Sequence, residues 1–125
     1  MTTLLLTGVT GSFGRAFLQH IERQTTWDVI GIARGEGRLE KLTDTRAKLL
    51  PRDITDYDQL RDLAPDLIVH AAALKRVASS YSNPEAYARI NVFGTMNVAR
   101  LAREKQARLL FISSDKATAA HNIYG

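Results

Sequence analysis

The chain has 125 residues, 45% hydrophobic and 24% charged, with a formal net charge of +4 and no cysteine. That composition describes one globular domain and excludes disulfides and thiolate metal sites. His20, His70 and His121 have no zinc-like spacing, so no metal is expected. The apolar run at residues 4–6 is too short for a signal peptide or a membrane span, which points to a cytoplasmic protein with no membrane partner.

The excess charge arises in residues 63–125, with eight Lys/Arg against four Asp/Glu; residues 1–62 carry nine of each. Arg100, Arg103, Lys105 and Arg108 gather near the expected end of one helix, where cations complement the helix dipole. No aromatic residues interleave with them, which argues against a nucleic-acid partner.

In chain order, residues 3–7 read as a buried strand that enters a loop with glycines at Gly8, Gly11 and Gly14. A helix follows from Ser12, with Phe13, Ala16, Phe17 and Ile21 on its apolar face. Residues 27–33 read as a second strand, 34–38 as a loop, 39–42 as a weak helical turn and 47–50 as a third strand closed by Pro51. Thr55 and Asp58 have the spacing of a capping box, predicting a helix that contains Leu60 and Leu63. Residues 67–71 form a fourth strand, apolar enough to be covered on both faces. The run Ser82-Asn83-Pro84-Glu85 predicts a helix start, with the helix reaching about Lys105 and Ile90, Phe93, Gly94, Asn97, Val98 and Leu101 facing inward. Residues 109–113 read as a fifth strand.

This alternation predicts an α/β, Rossmann-type fold: a parallel sheet of five strands in the order 3-2-1-4-5 with helices on both faces. Ligands bind such sheets beyond the carboxyl ends of strands 1 and 4. The Gly8, Gly11, Gly14 loop, with Thr10, Ser12 and Phe13, then either cradles a diphosphate at a helix N-terminus or is a glycine-rich turn with no ligand. An acid at the end of strand 2 would bind a ribose 2′-hydroxyl; this chain has Ala33-Arg34 there, with Arg38 four residues on. Arginine grips phosphate through charge-assisted bonds, so NADP is expected over NAD, unless these are simply solvated loop arginines. Asp53 after strand 3 suits an adenine amino group, with Ile54 beneath the ring, although on its own it reads as a turn residue. The small residues Ala71, Ala72 and Ala73 suit backbone lying against a flat cofactor. Asn91 either braces the neighbouring strand end or is a plain core amide.

The motifs Thr7-Gly-x-x-Gly-x-x-Gly14, Asp53-Ile54, His70-Ala-Ala-Ala73 and Asn91-x-x-Gly94-Thr95 resemble those of the extended short-chain dehydrogenase/reductase family. Within it, Gly11-Ser12-Phe13-Gly14, Ala72-Ala73-Leu74-Lys75 and Ser113-Ser114-Asp115-Lys116-Ala117 resemble the nucleotide-sugar 4,6-dehydratases that act on UDP-N-acetylglucosamine. The resemblance implies a cofactor contact at Lys75 and a redox-neutral dehydration: C4 of the sugar is oxidised, water leaves across C5 and C6, and the hydride returns to C6. The C4 ketone acidifies the C5 proton, so one base and one acid suffice. By resemblance Lys116 is that base, Asp115 the acid, Tyr124 takes the C4 hydroxyl proton and Ser114 occupies the hydrogen-bonding position usually held by Thr.

The family pattern Tyr-x-x-x-Lys is cut short, since only Gly125 follows Tyr124. The expectation is therefore an N-terminal, dinucleotide-binding portion, truncated before the later strands and inactive alone. The alternatives are a non-catalytic NADP-binding module, a remnant that binds nothing, or a portion of a related sugar epimerase or reductase. An exposed edge at strand 5 would favour self-association.

Overall fold

The structure, a computed structural model, describes residues 1–124, without the side chains of Val77 and Lys116. The strands are β1 (Thr3–Thr7), β2 (Asp28–Ala33), β3 (Lys48–Pro51), β4 (Leu67–His70) and β5 (Arg108–Phe111). They form one parallel sheet in the order β3-β2-β1-β4-β5, as the alternation of strands and helices predicts.

β1 is the central strand, and its alternation builds two cores. Leu4 and Leu6 face one side, where they pack with Val9, Val29, Val69 and with Leu18 and Ile21 of α1 (Ser12–Gln24). Leu5 faces the other, with Ile68, Ile54, Leu60 and with Val98 and Leu101 of α5 (Thr95–Lys105). All three leucines are fully buried, each contributing roughly 1.5–3 kcal/mol of transfer free energy. Helices therefore cover both faces. Among the described residues no helix is long and apolar enough to cross a membrane.

Several local expectations are corrected. The capping-box helix after Thr55 is only a single 3-10 turn, Tyr57–Gln59, and its cap is Asp56, which accepts the Asp58 N–H. Thr55 instead directs its own N–H and hydroxyl to Asp53 Oδ1. The weak turn expected at 39–42 is present, closed by the Leu42 N–H on the Leu39 carbonyl at 3.0 Å, but it only ends a short helix that begins earlier, α2 (Glu36–Leu39). On α1 the buried residues are Gly14, Leu18 and Ile21, while Ala16 is exposed and Phe13 is half-exposed, stacked on Phe17.

The helix predicted from Asn83 to Lys105 follows α3 (Val77–Ser82) and forms in three parts: α4 (Pro84–Tyr87), a π-helical segment (Ala88–Gly94) and α5. The Asn83 side chain caps it by accepting the Ala86 N–H, with Pro84 in the first turn. Wide π turns bond i to i+5 and slip the apolar stripe out of its 3.6-residue register. The inward row is Ile90, Gly94, Val98, Leu101 and Ala102, so Phe93, expected inside, is 56% exposed.

Candidate functional site

An open cleft lies beyond the carboxyl ends of β1, β2 and β4, the place where ligands bind such sheets. Gly8, Thr10, Gly11, Arg34, Arg38, Ile54, Ala71, Ala72, Ala73 and Lys75, all singled out by the sequence, line it. Ile32, Ala33, Arg52, Leu74 and Ile90 line it as well. Arg52 had a readable signal: it follows strand 3 as Arg34 follows strand 2, and its N–H continues the ladder to the Ala33 carbonyl at 3.0 Å.

The glycine loop is shaped by close approach. Gly8 has φ +68°, and a Cβ there would lie 2.7 Å from the carbonyl of Ala71 and the nitrogen of Ala72. Gly14 lets α1 press onto the loop, since its Cβ would fall 2.1 Å from the Gly8 oxygen. Gly14 therefore sets the helix against the loop rather than lining the cleft. Gly11, the N-cap of α1, lines the cleft and brings the N-terminus of the helix to it, whereas Ser12 and Phe13, singled out with the loop, are not among the lining residues. Such a helix end attracts anions.

The electrostatics point the same way. Four cations, Arg34, Arg38, Arg52 and Lys75, line the cleft, and no carboxylate is among the lining residues. Arg52 is committed elsewhere, donating at 2.8 Å both to the Gln59 carbonyl and to Asp62 Oδ1. That bond holds the Asp62 carboxyl below its ordinary value. Among the described residues no ion-pair partner holds Arg34 or Arg38.

Asp53 does not line the cleft. Its Oδ1 accepts Thr55 N–H and hydroxyl at 2.9 and 2.8 Å, the turn arrangement that its sequence context also allowed. Asn91 braces the wall: Oδ1 accepts the Leu74 N–H at 2.8 Å and Nδ2 donates to the Leu74 carbonyl at 2.9 Å. Sequence could not tell this clamp from a plain core amide because the π segment sets where Asn91 points.

Behind the wall sits His70, buried and 2.6 Å through Nδ1 from Thr7 Oγ1, with Nε2 2.9 Å from Thr95 Oγ1. Burial lowers its pKa from 6.5 to about 4. Phe111 stacks on it at 5.7 Å.

Ser114, Asp115 and Tyr124 are not among the lining residues. Asp115 begins a 3-10 turn, Asp115–Ala117, just after β5, and the Ser114 hydroxyl donates to its Oδ1 at 3.4 Å. The side chain of Lys116 lies outside the described residues. Tyr124 sets its ring edge-on to Tyr87, with centroids 6.2 Å apart, and its N–H donates to Asn122 Oδ1.

Comparison with known proteins agrees with this geometry. The chain is 34% identical over 134 residues to a UDP-glucose 4-epimerase of Rickettsia bellii, which covers 98% of the chain and 39% of that protein. It is 29% identical over 137 residues to the capsular polysaccharide biosynthesis protein CapD of Staphylococcus aureus, covering 98% of the chain and 23% of CapD. The X-ray structure of Pen from Bacillus thuringiensis superposes with a TM-score of 0.92 at 29% identity, over 99% of this chain and 40% of that one. The chain thus spans about two fifths of the Rickettsia and Bacillus proteins. The profile of the NAD dependent epimerase/dehydratase family matches residues 4–123. With this loop, this sheet order and this cleft, the chain belongs to the NAD-dependent epimerase/dehydratase family, within the extended short-chain dehydrogenases/reductases.

Proposed function

We propose that the chain is the dinucleotide-binding portion of an NADP-dependent nucleotide-sugar 4,6-dehydratase. The end of β2 carries this reading: no acid lines the cleft, whereas Arg34 and Arg38 do and have no ion-pair partner among the described residues. Gly8, Thr10, Gly11 and the first turn of α1 receive the diphosphate, and Arg34 and Arg38 the 2′-phosphate. Ile54 lies under the adenine, while Ala71, Ala72, Ala73 and Lys75 form the wall along the rest of the dinucleotide. When bound, the cofactor supplies a hydride acceptor and donor.

Titration with NADPH and NADH tests the reading. NADPH binds at least about tenfold tighter, since each charge-assisted arginine contact to the 2′-phosphate is worth about tenfold. Tighter NADH binding overturns it.

For the sugar chemistry, Ser114, Asp115, Lys116 and Tyr124 act as the family resemblance implies, with Asp115-Lys116 supplying acid and base. Support comes from the placement of Asp115, four residues beyond the end of β5, the strand that flanks β4. A second reading, epimerisation at C4, draws on the identity to the Rickettsia enzyme. Assayed with UDP-N-acetylglucosamine in a polypeptide extended to the length of those relatives, dehydration gives a 4-keto-6-deoxy sugar. An epimer alone decides for the second reading. Self-association through β5 is also proposed, because Leu109, Leu110, Phe111 and Ile112 are all exposed at the sheet edge.

A further inference from the structure

The cleft wall is held from behind by one continuous hydrogen-bond circuit, and counting donors fixes its direction. Thr7 Oγ1 accepts the N–H groups of Ala71 and Ala72 at 3.0 and 3.1 Å, which uses both of its lone pairs. Its own proton must then go to His70 Nδ1. The ring proton therefore sits on Nε2 and is donated to Thr95 Oγ1. The Thr95 hydroxyl donates to the Asn91 carbonyl at 2.7 Å. The Asn91 amide closes the path on both backbone groups of Leu74. The circuit leaves the wall at Ala71 and Ala72 and returns at Leu74, bracketing Ala73.

The other tautomer breaks this order. An Nδ1–H would aim a third N–H at Thr7, and Nε2 would take the Thr95 proton that now serves the Asn91 carbonyl. A charged ring makes the same collision at Thr7. The surroundings supply little compensating charge. β1 has no charged residue, Arg108 of β5 pairs with Leu67 at the far end of β4, Arg89 of the π segment is exposed, and the charges of α5 begin at Arg100, beyond the first turn after Thr95.

We propose that His70 is a positioning residue: as the neutral Nε2–H tautomer it ties Thr7 to Thr95 and fixes the Ala71–Leu74 wall against Gly8, setting the width of the cleft. The consequence for binding rests on the dinucleotide reading above; the circuit itself rests on geometry alone.

The test uses the chain itself, in wild-type, Thr95→Val and Thr95→Ser forms, by nitrogen NMR of the His70 ring, amide hydrogen exchange and NADPH titration. In the wild type the ring is the Nε2–H tautomer at pH 7. Thr95→Val disturbs that tautomer, speeds exchange at Ala71, Ala72 and Leu74 and weakens NADPH binding, the last two by about tenfold. Thr95→Ser restores all three. A wild-type ring protonated on Nδ1, or exchange and tautomer unmoved in Thr95→Val, overturns the proposal. An intact circuit in a chain that binds neither NADPH nor NADH upholds the circuit and overturns the dinucleotide reading.

Discussion

Gly8 and Ala71 meet backbone to backbone: a single carbon added to Gly8 would sit 2.7 Å from the Ala71 carbonyl. Glycine at +68° also avoids the cost of a left-handed residue, about 1–2 kcal/mol. Gly8→Ala therefore destabilises the chain by about 2 kcal/mol or more and abolishes NADPH binding. Urea unfolding and a binding titration measure the two effects separately.

On the proposed NADP reading, Arg34 and Arg38 separate the two cofactors. Removing either guanidinium, in Arg34→Ala or Arg38→Ala, lowers NADPH affinity about tenfold and leaves NADH binding unchanged. Equal losses for both cofactors would place these side chains on the shared part of the dinucleotide instead.

His70 makes stability depend on pH. Its folded pKa, about 4, lies below the ordinary 6.5 because burial disfavours the charged ring. The unfolded chain thus binds the proton more readily, and stability falls as pH drops from 6.5 toward 4. Between about pH 7.5 and 5.5 the loss is roughly 1 kcal/mol, read by urea unfolding. In His70→Phe, less stable than the wild type at neutral pH, that slope disappears.

Asn91→Asp replaces the amide donor facing the Leu74 carbonyl with a carboxylate oxygen. One hydrogen bond turns into a repulsion, and the chain loses about 2 kcal/mol. Faster exchange of the Leu74 amide accompanies the loss.

Leu110 is 51% exposed on the edge strand. Light scattering at rising concentration detects association of the wild type, and Leu110→Lys reduces it by charging the edge. A wild type that stays monomeric removes the self-association proposal.

The strands, their order and the glycine loop are legible in the sequence because each rests on local chemistry: apolar runs of strand length, glycines at a turn, Asn83-Pro84 at a helix start. The features that escape it depend on tertiary geometry. The wide turn from Ala88 to Gly94 leaves no mark in a 3.6-residue pattern, so that pattern puts Phe93 inside and leaves the direction of Asn91 open. Asp56 outcompetes Thr55 as a cap because Thr55 is drawn to Asp53. In the site, Arg34 and Arg38 are legible from their position just past strand 2. Arg52 holds the corresponding position just past strand 3, and the same reasoning reaches it.

The circuit behind the wall also orders events during synthesis. Thr7 and His70 are 63 positions apart, and His70 waits on Thr95, 25 positions further on. A nascent chain emerging from the ribosome can pair β1 with β2 early, yet its wall stays unlocked until Thr95 is free to dock. On the dinucleotide reading, NADPH capture by stalled chains of increasing length switches on only after that point, which makes binding a clock for the docking of α5.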